Sequence, residues 1–174
     1  MISKYNKNFL IQEKIGNSNN VVAGCFLYSD GQLKNFYSYK RIRTFPTSGG
    51  VTVLSHFYYS NEIEKLGKKI LDKLKWNGFA MIEFLWCPKS NEFKVIELNP
   101  RLWGSIMLSE KCGSLMLKDY ISICMNKEVD TNKVFNHKSS IRWFFPYDLF
   151  NLLSLKVNPL NFFNLNDNNE SNIA

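Results

Sequence analysis

The chain has 174 residues and a mass of 20.3 kDa, which suits one domain or half of a larger enzyme and excludes a long multidomain protein. Hydrophobic residues make up 45% and charged residues 21%, with 14 Phe, 8 Tyr and 4 Trp, so there is enough apolar surface for a core and global disorder is excluded. A formal charge of +7 and a pI near 9.2 favour anionic partners without choosing among nucleotides, phosphates and nucleic acids.

No apolar run approaches the roughly 20 residues of a membrane helix, and the first residues, Met1 to Lys7, lack the core of a signal peptide. The expectation is a cytoplasmic protein without a membrane partner. Cys25, Cys87, Cys112 and Cys124 are far apart with no C-x-x-C pair. They read as small reduced apolar residues, not as a zinc module or a disulfide framework.

Along the chain, residues 9 to 13 read as a strand closed by the polar turn Gly16 to Asn20. Val21 to Ser29 reads as a second strand reaching Asp30-Gly31, a strong hairpin signal, and Leu33 to Arg43 as its return. Thr47-Ser48-Gly49-Gly50 is a loop before another extended run, Val51 to Phe57. A helix follows Ser60-Asn61, with Glu62 and Glu64 where the helix dipole favours acids. Ile63, Leu66, Ile70, Leu71 and Leu74 give it one apolar stripe, and it should end near Trp76-Asn77-Gly78. Its lysines, Lys65, Lys68, Lys69, Lys73 and Lys75, read as a solvated face.

Strands over about 79 to 86 and 93 to 98 come next, joined by Pro88 to Asn91, and a long helix is expected from about Ser105 to Met125. Ile141 to Leu155 is apolar enough to pack as a strand and a helix, whereas 158 to 174 is Asn-rich and expected to be disordered.

The two strands joined by Pro88 to Asn91 carry the chemistry. Alternation puts Glu97 and Asn99 on one face and Ile96 and Leu98 on the other, taken as the core face. If the turn is centred on Ser90, paired residue numbers sum to 180 and Glu83 lies opposite Glu97. Two carboxylates facing each other across a hairpin repel. A divalent cation between them would reverse that, and Glu, Glu and Asn oxygens suit Mg²⁺, which keeps substrate phosphates as further ligands. Arg101, just beyond, could then reach an anionic intermediate. From spacing alone a second reading stands beside this one, in which the acids lie on a solvated face and Arg101 pairs with one of them.

The string Glu97-Leu-Asn-Pro-Arg-Leu-Trp-Gly-Ser105, preceded by Gly78-Phe-Ala-Met-Ile-Glu-Phe84, resembles the C-terminal part of the ATP-grasp domain, in its carbamoyl-phosphate-synthase-like branch. The resemblance spans roughly residues 9 to 126. It implies that Glu83, Glu97 and Asn99 hold the Mg²⁺, or Mn²⁺, that bridges the ATP phosphates, and that Arg101 contacts phosphate or an acyl phosphate. Leu10 to Gly16 resembles the hinge strand at the adenine, which places Glu13 and Lys14 at the nucleotide edge and Ile15 against the ring. Asn20 stands where many relatives carry a ribose-binding Glu. Lys40 to Gly50 corresponds to the segment that approaches the phosphates and second substrate, with Arg41 and Arg43 expected on one strand face. Met81 stands where some ligase relatives carry an Arg.

The implied fold is α+β, a largely antiparallel sheet packed on helices 61 to 76 and 105 to 125. Residues 1–126 would form the ATP-grasp C-terminal lobe and 127–157 a packing extension. The implied function is the Mg-ATP-binding lobe of a carboxylate-amine or carboxylate-thiol ligase acting through an acyl phosphate. Whole ATP-grasp enzymes also have an N-terminal substrate domain and a covering lobe, so a separate N-terminal polypeptide is an expected partner. The alternative is a noncatalytic remnant serving as a binding or assembly module. A nucleic-acid-binding role, for which only Phe36 to Arg43 offers interleaved basic and aromatic residues, is the weakest reading.

Overall fold

The structure, a computed structural model, describes residues 11–15, 20–46, 50–154 and 162. Its framework is a six-stranded antiparallel sheet in the order β5-β4-β1-β2-β3-β6. Strand β1 (Val21–Ser29) is buried along almost its whole length, because both faces of the sheet are covered. That explains why its sequence reads as a continuous apolar run and not as an alternation. Asp30 and Gly31 turn it back with φ of 54° and 69°, the left-handed pair that a two-residue hairpin demands, into β2 (Gln32–Phe45). Strand β3 (Val51–Phe57) has the bounds its sequence predicts.

One face is closed by α1 (Asn61–Lys73), where the Ser60 hydroxyl accepts from the Ile63 amide at 3.3 Å and so caps the first turn. Ile63 and Leu71 are fully buried against Val22, Phe26, Phe36, Ile82 and Phe84. Leu74, expected in that stripe, is exposed because the helix has already ended.

The opposite face is closed by α2 (Met107–Cys112) and α3 (Met116–Cys124), which replace the single helix expected over 105 to 125. Gly113 breaks it. Its φ is +87°, and a Cβ there would sit 2.3 Å from the Val134 carbonyl oxygen, so only glycine fits. The break lets Leu108, Cys112 and Met116 all reach the sheet, where they pack with Ala23, Cys25, Leu27, Tyr37, Tyr39 and Met81.

Strands β4 (Gly78–Cys87) and β5 (Glu92–Asn99) form the hairpin at one edge. At the other edge β6 (Ser140–Arg142) pairs with β3 and leads through a kinked turn, Phe144–Asp148, extended at Phe145, into α4 (Leu149–Ser154), the strand and helix expected there.

The strand expected over 9 to 13 is not formed at its described residues. Residues 11–13 lie outside any strand, with Ile11 almost fully exposed, and among the described residues the edge strand β5 is hydrogen-bonded to β4 alone. Residues 16–19 and 47–49, within two predicted loops, lie outside the described residues, as does 158–174 apart from the buried Phe162. All four cysteines are free; Cys25, Cys87 and Cys112 are buried, and Cys124 is exposed. No helix among the described residues is long and apolar enough to cross a membrane.

Candidate functional site

Glu83 and Glu97 are direct cross-strand partners, with Met81 opposite Asn99 on the same row. The expected pairing therefore holds, but for a reason the hairpin turn does not supply. Near the turn the partners are Cys87 with Glu92 and Phe84 with Val95, a register one residue short of the one expected. A bulge then inserts Ile96, and only beyond it do Glu83 and Glu97 meet. Without that extra residue Glu83 would face Ile96. Ile96 is accordingly 49% exposed and does not join the core as expected, whereas Phe93 and Leu98 pack on the α1 side.

Glu83 projects toward the face shared with Ala23 and Met81, and its side chain is only 15% exposed. Burial raises its pKa; Arg41 opposes the shift, and the charge of Glu97 adds to it. Arg41 reaches Glu83 from β2, its Nη1 donating to Oε2 at 3.1 Å and Oε1 at 3.3 Å, and its Nη2 donates to the Gly50 carbonyl. Glu97 is exposed and makes no side-chain hydrogen bond or ion pair among the described residues. Asn99 is buried, and its amide likewise has no hydrogen-bond partner among them.

The pairing of Arg101 with one of the acids, offered by the second reading, does not occur among the described residues. Arg101 is exposed, and its Nη1 donates to the Leu102 carbonyl at 3.1 Å. The following Trp103 is buried and donates from Nε1 to the Tyr37 hydroxyl at 2.9 Å, which anchors the segment after β5 to β2.

Arg41 and Arg43 do not share a face as expected. A register shift leaves Ile42 unpaired, so Arg41 partners Ser55 while Arg43 partners the adjacent Leu54, on the other face. There Arg43 lies 3.4 Å from Asp148, which has no exposed surface and also receives Arg142 Nε at 2.5 Å. Both guanidiniums stack on the Phe162 ring at 4.3 Å.

Of the residues expected at the adenine, Glu13 and Lys14 are exposed, Ile15 is half-buried, and Asn20 is exposed just before β1. Glu13 runs beside β5: the Glu92 carboxylate, by hydrogen bond, holds Lys94 above the usual ammonium range, and the charge of Glu13 adds to that effect. Met81 is buried under the Tyr39 hydroxyl, its sulfur 3.3 Å away.

Two carboxylates and an amide oxygen, with one carboxylate and the amide unpartnered, form a hard-oxygen set that leaves several coordination positions open. That fits Mg²⁺, which keeps water or phosphate ligands, better than a metal that needs a closed protein cage. No group of three or more His, Cys, Asp or Glu side chains able to hold a metal occurs among the described residues.

Residues 52–131 match the family described as carbamoyl-phosphate synthase L chain, ATP binding domain. The chain has an ATP-grasp fold. Solved structures with the same fold include the phosphoribosylaminoimidazole carboxylase ATPase subunit of Aquifex aeolicus, at 14% identity and a TM-score of 0.53 over 66% of this chain and 37% of that one. Pyruvate carboxylase of Rhizobium etli aligns at 19% identity and a TM-score of 0.52, over 65% of this chain and 10% of its own. Urea carboxylase of Kluyveromyces lactis aligns at 15% identity and a TM-score of 0.52, over 72% of this chain and 12% of its own. The chain thus spans little more than a third of the first of these structures and about a tenth of the other two. No curated protein sequence matches it.

Proposed function

We propose that the chain is the Mg-ATP-binding lobe of an ATP-dependent ligase that joins a carboxylate to an amine or a thiol through an acyl phosphate. The observation that carries this reading is the Glu83 and Glu97 pair, set face to face by the bulge at Ile96 inside the stretch that matches an ATP-binding domain. A fold built for stability alone gains nothing from two opposed carboxylates.

In this reading Glu83, Glu97 and Asn99 hold Mg²⁺, which when bound neutralises charge on the polyphosphate. Arg41 sits beside the acids, and Arg101, exposed at the end of β5, is free to swing toward an anionic group. Both would offset charge on the transferring phosphoryl group, so the lobe contributes positioning and electrostatics and no covalent chemistry. Glu13, Lys14, Ile15 and Asn20 would line the nucleotide edge. Arg43, placed by the resemblance near the phosphates, instead ties β2 to the Asp148 turn, and its role in the reaction is to hold that strand.

An N-terminal ATP-grasp lobe is what this reading calls for beside the residues described, with the carboxylate and amine as small-molecule substrates. The test is to purify the chain with and without such a lobe and to assay ADP release over mixed carboxylates and amines. Activity should require the added lobe and fall by at least about a hundredfold in Glu97→Ala. Turnover that survives Glu97→Ala would overturn the metal assignment.

A further inference from the structure

A half-buried carboxylate opposite another acid needs a cation beside it whenever it is ionised. Here that cation is Arg41. One of its terminal nitrogens straddles both oxygens of Glu83, at 3.1 and 3.3 Å, the place from which a cation engages both at once. It reaches there from β2 across β1, over the small side chain of Ala23, which pairs with Tyr39 on one side and Glu83 on the other. It does not bridge to Glu97.

The placement leaves Arg41 incompletely satisfied. Among the described residues its buried Nε has no hydrogen-bond partner, and its Nη2 is held only by the neutral Gly50 carbonyl. A guanidinium has five donors in a fixed fork, so an arrangement that strands Nε is one the side chain can improve upon once another anion is present. Charge counting points the same way. Glu83, Glu97 and Arg41 sum to −1; a divalent cation brings the cluster to +1, a surplus that only an anion can balance.

We propose that Arg41 is a resident counter-cation that yields Glu83 to the metal and then takes a phosphate-type anion, so that the site binds the divalent cation and the anion together. This rests on the metal reading of Glu83, Glu97 and Asn99 given above. Free metal alone binds weakly, because it must displace a cation that has nowhere better to go. Metal with phosphate binds well, because the displaced guanidinium gains a charged acceptor. Arg41 is thus a positioning residue that links two ligands, and the linkage is reciprocal.

The experiment measures Mn²⁺ binding by the loss of its free electron-resonance signal, with and without inorganic phosphate, in the wild type, Arg41→Met and Arg41→Met/Glu83→Gln. Arg41→Met should bind Mn²⁺ alone about fivefold more tightly than the wild type, and phosphate should strengthen Mn²⁺ binding about fivefold in the wild type and not in the variant. Glu83→Gln should erase the gain. In the wild type, phenylglyoxal labelling of Arg41, read by peptide mass, should rise with Mn²⁺ and fall again with phosphate; this arm decides alone if the variants do not fold. Tighter binding absent from Arg41→Met, with labelling indifferent to metal, would make Arg41 a structural tie and overturn the proposal. No Mn²⁺ binding by either protein, even with phosphate, would instead remove the metal reading on which the proposal stands.

Discussion

The sheet carries a polar cluster toward each end of its strands, and the two are built on opposite principles. Toward the Asp30-Gly31 hairpin, Asn35 on β2 donates to the Ser114 carbonyl at 2.6 Å and to Asp119 at 2.5 Å, while the Ser114 hydroxyl donates back to Asn35 at 2.7 Å. Lys133 closes the set, its Nζ 2.9 Å from the other oxygen of Asp119. Every member is buried or nearly so, and every group has a partner from this chain. About 13 Å away along β1, from Leu27 to Ala23, lies the Glu83 cluster, where Glu97 and the Asn99 amide have none among the described residues. A polar cluster that satisfies itself holds the fold together; one left open at a cost is built for something that arrives later.

Removing an acid from each cluster should separate them by the largest margin. Asp119→Ala strands Lys133 and Asn35 in the interior, and breaking a buried pair from one side costs about 3 to 5 kcal/mol. Urea unfolding followed by circular dichroism would read this as a large drop in midpoint with little change in slope. A loss under about 1 kcal/mol would mean the two clusters are equally dispensable and would end the contrast.

What the sequence made legible differs between the two ends as well. The limits of β1 and β3, the Asp30-Gly31 turn and the Ser60 cap follow from local chemistry: apolar runs, left-handed turn residues and a side-chain oxygen at a helix start. The break at Gly113 inside the helix expected over 105 to 125 has its meaning in contact with Val134, far along the chain. The two bulges carry no local mark. Ile96 restored the register that places Glu83 opposite Glu97, offsetting an error of one residue at the turn, while Ile42 sent Arg43 to the far face and toward Asp148. Alternation alone cannot register either event, because a single extra residue reverses every face beyond it. The Asn35, Asp119 and Lys133 set joins residues 14 and 84 apart in sequence and had no signal at all.

A gentler way to sharpen the comparison uses pH. Because burial raises the Glu83 pKa above the usual carboxylate value of 4.5, the folded protein keeps a proton that the unfolded chain has released. Its contribution to stability is therefore complete below about pH 4.5 and is lost as pH rises through the folded value. Glu83→Gln lacks this titration. The stability of the wild type minus that of Glu83→Gln should fall between pH 4 and pH 7, measured by urea midpoints at matched ionic strength. A difference that grows with pH would show that Arg41 outweighs burial and that the cluster is already balanced.

The smallest effect on folding should come from the residue most exposed to the proposed chemistry. Among the described residues Glu97 has no partner that its loss would strand, so Glu97→Gln leaves none orphaned there. It also removes one of the charges that raise the Glu83 pKa, although burial of Glu83, the larger cause, remains. The metal-free variant should thus be unchanged or stabilised by up to about 0.5 kcal/mol, as expected for relief of like charges directly across a strand pair. With millimolar Mg²⁺ and inorganic phosphate the order should reverse: the wild type gains stability by linkage to the bound ligands, and Glu97→Gln, lacking a ligand oxygen of full charge, gains less. Melting curves of both proteins with and without Mg²⁺ and phosphate give the four values needed. A clear loss of stability in the metal-free variant would mean that Glu97 is already paired in the fold, and the open cluster would then be as closed as the one at Asp119.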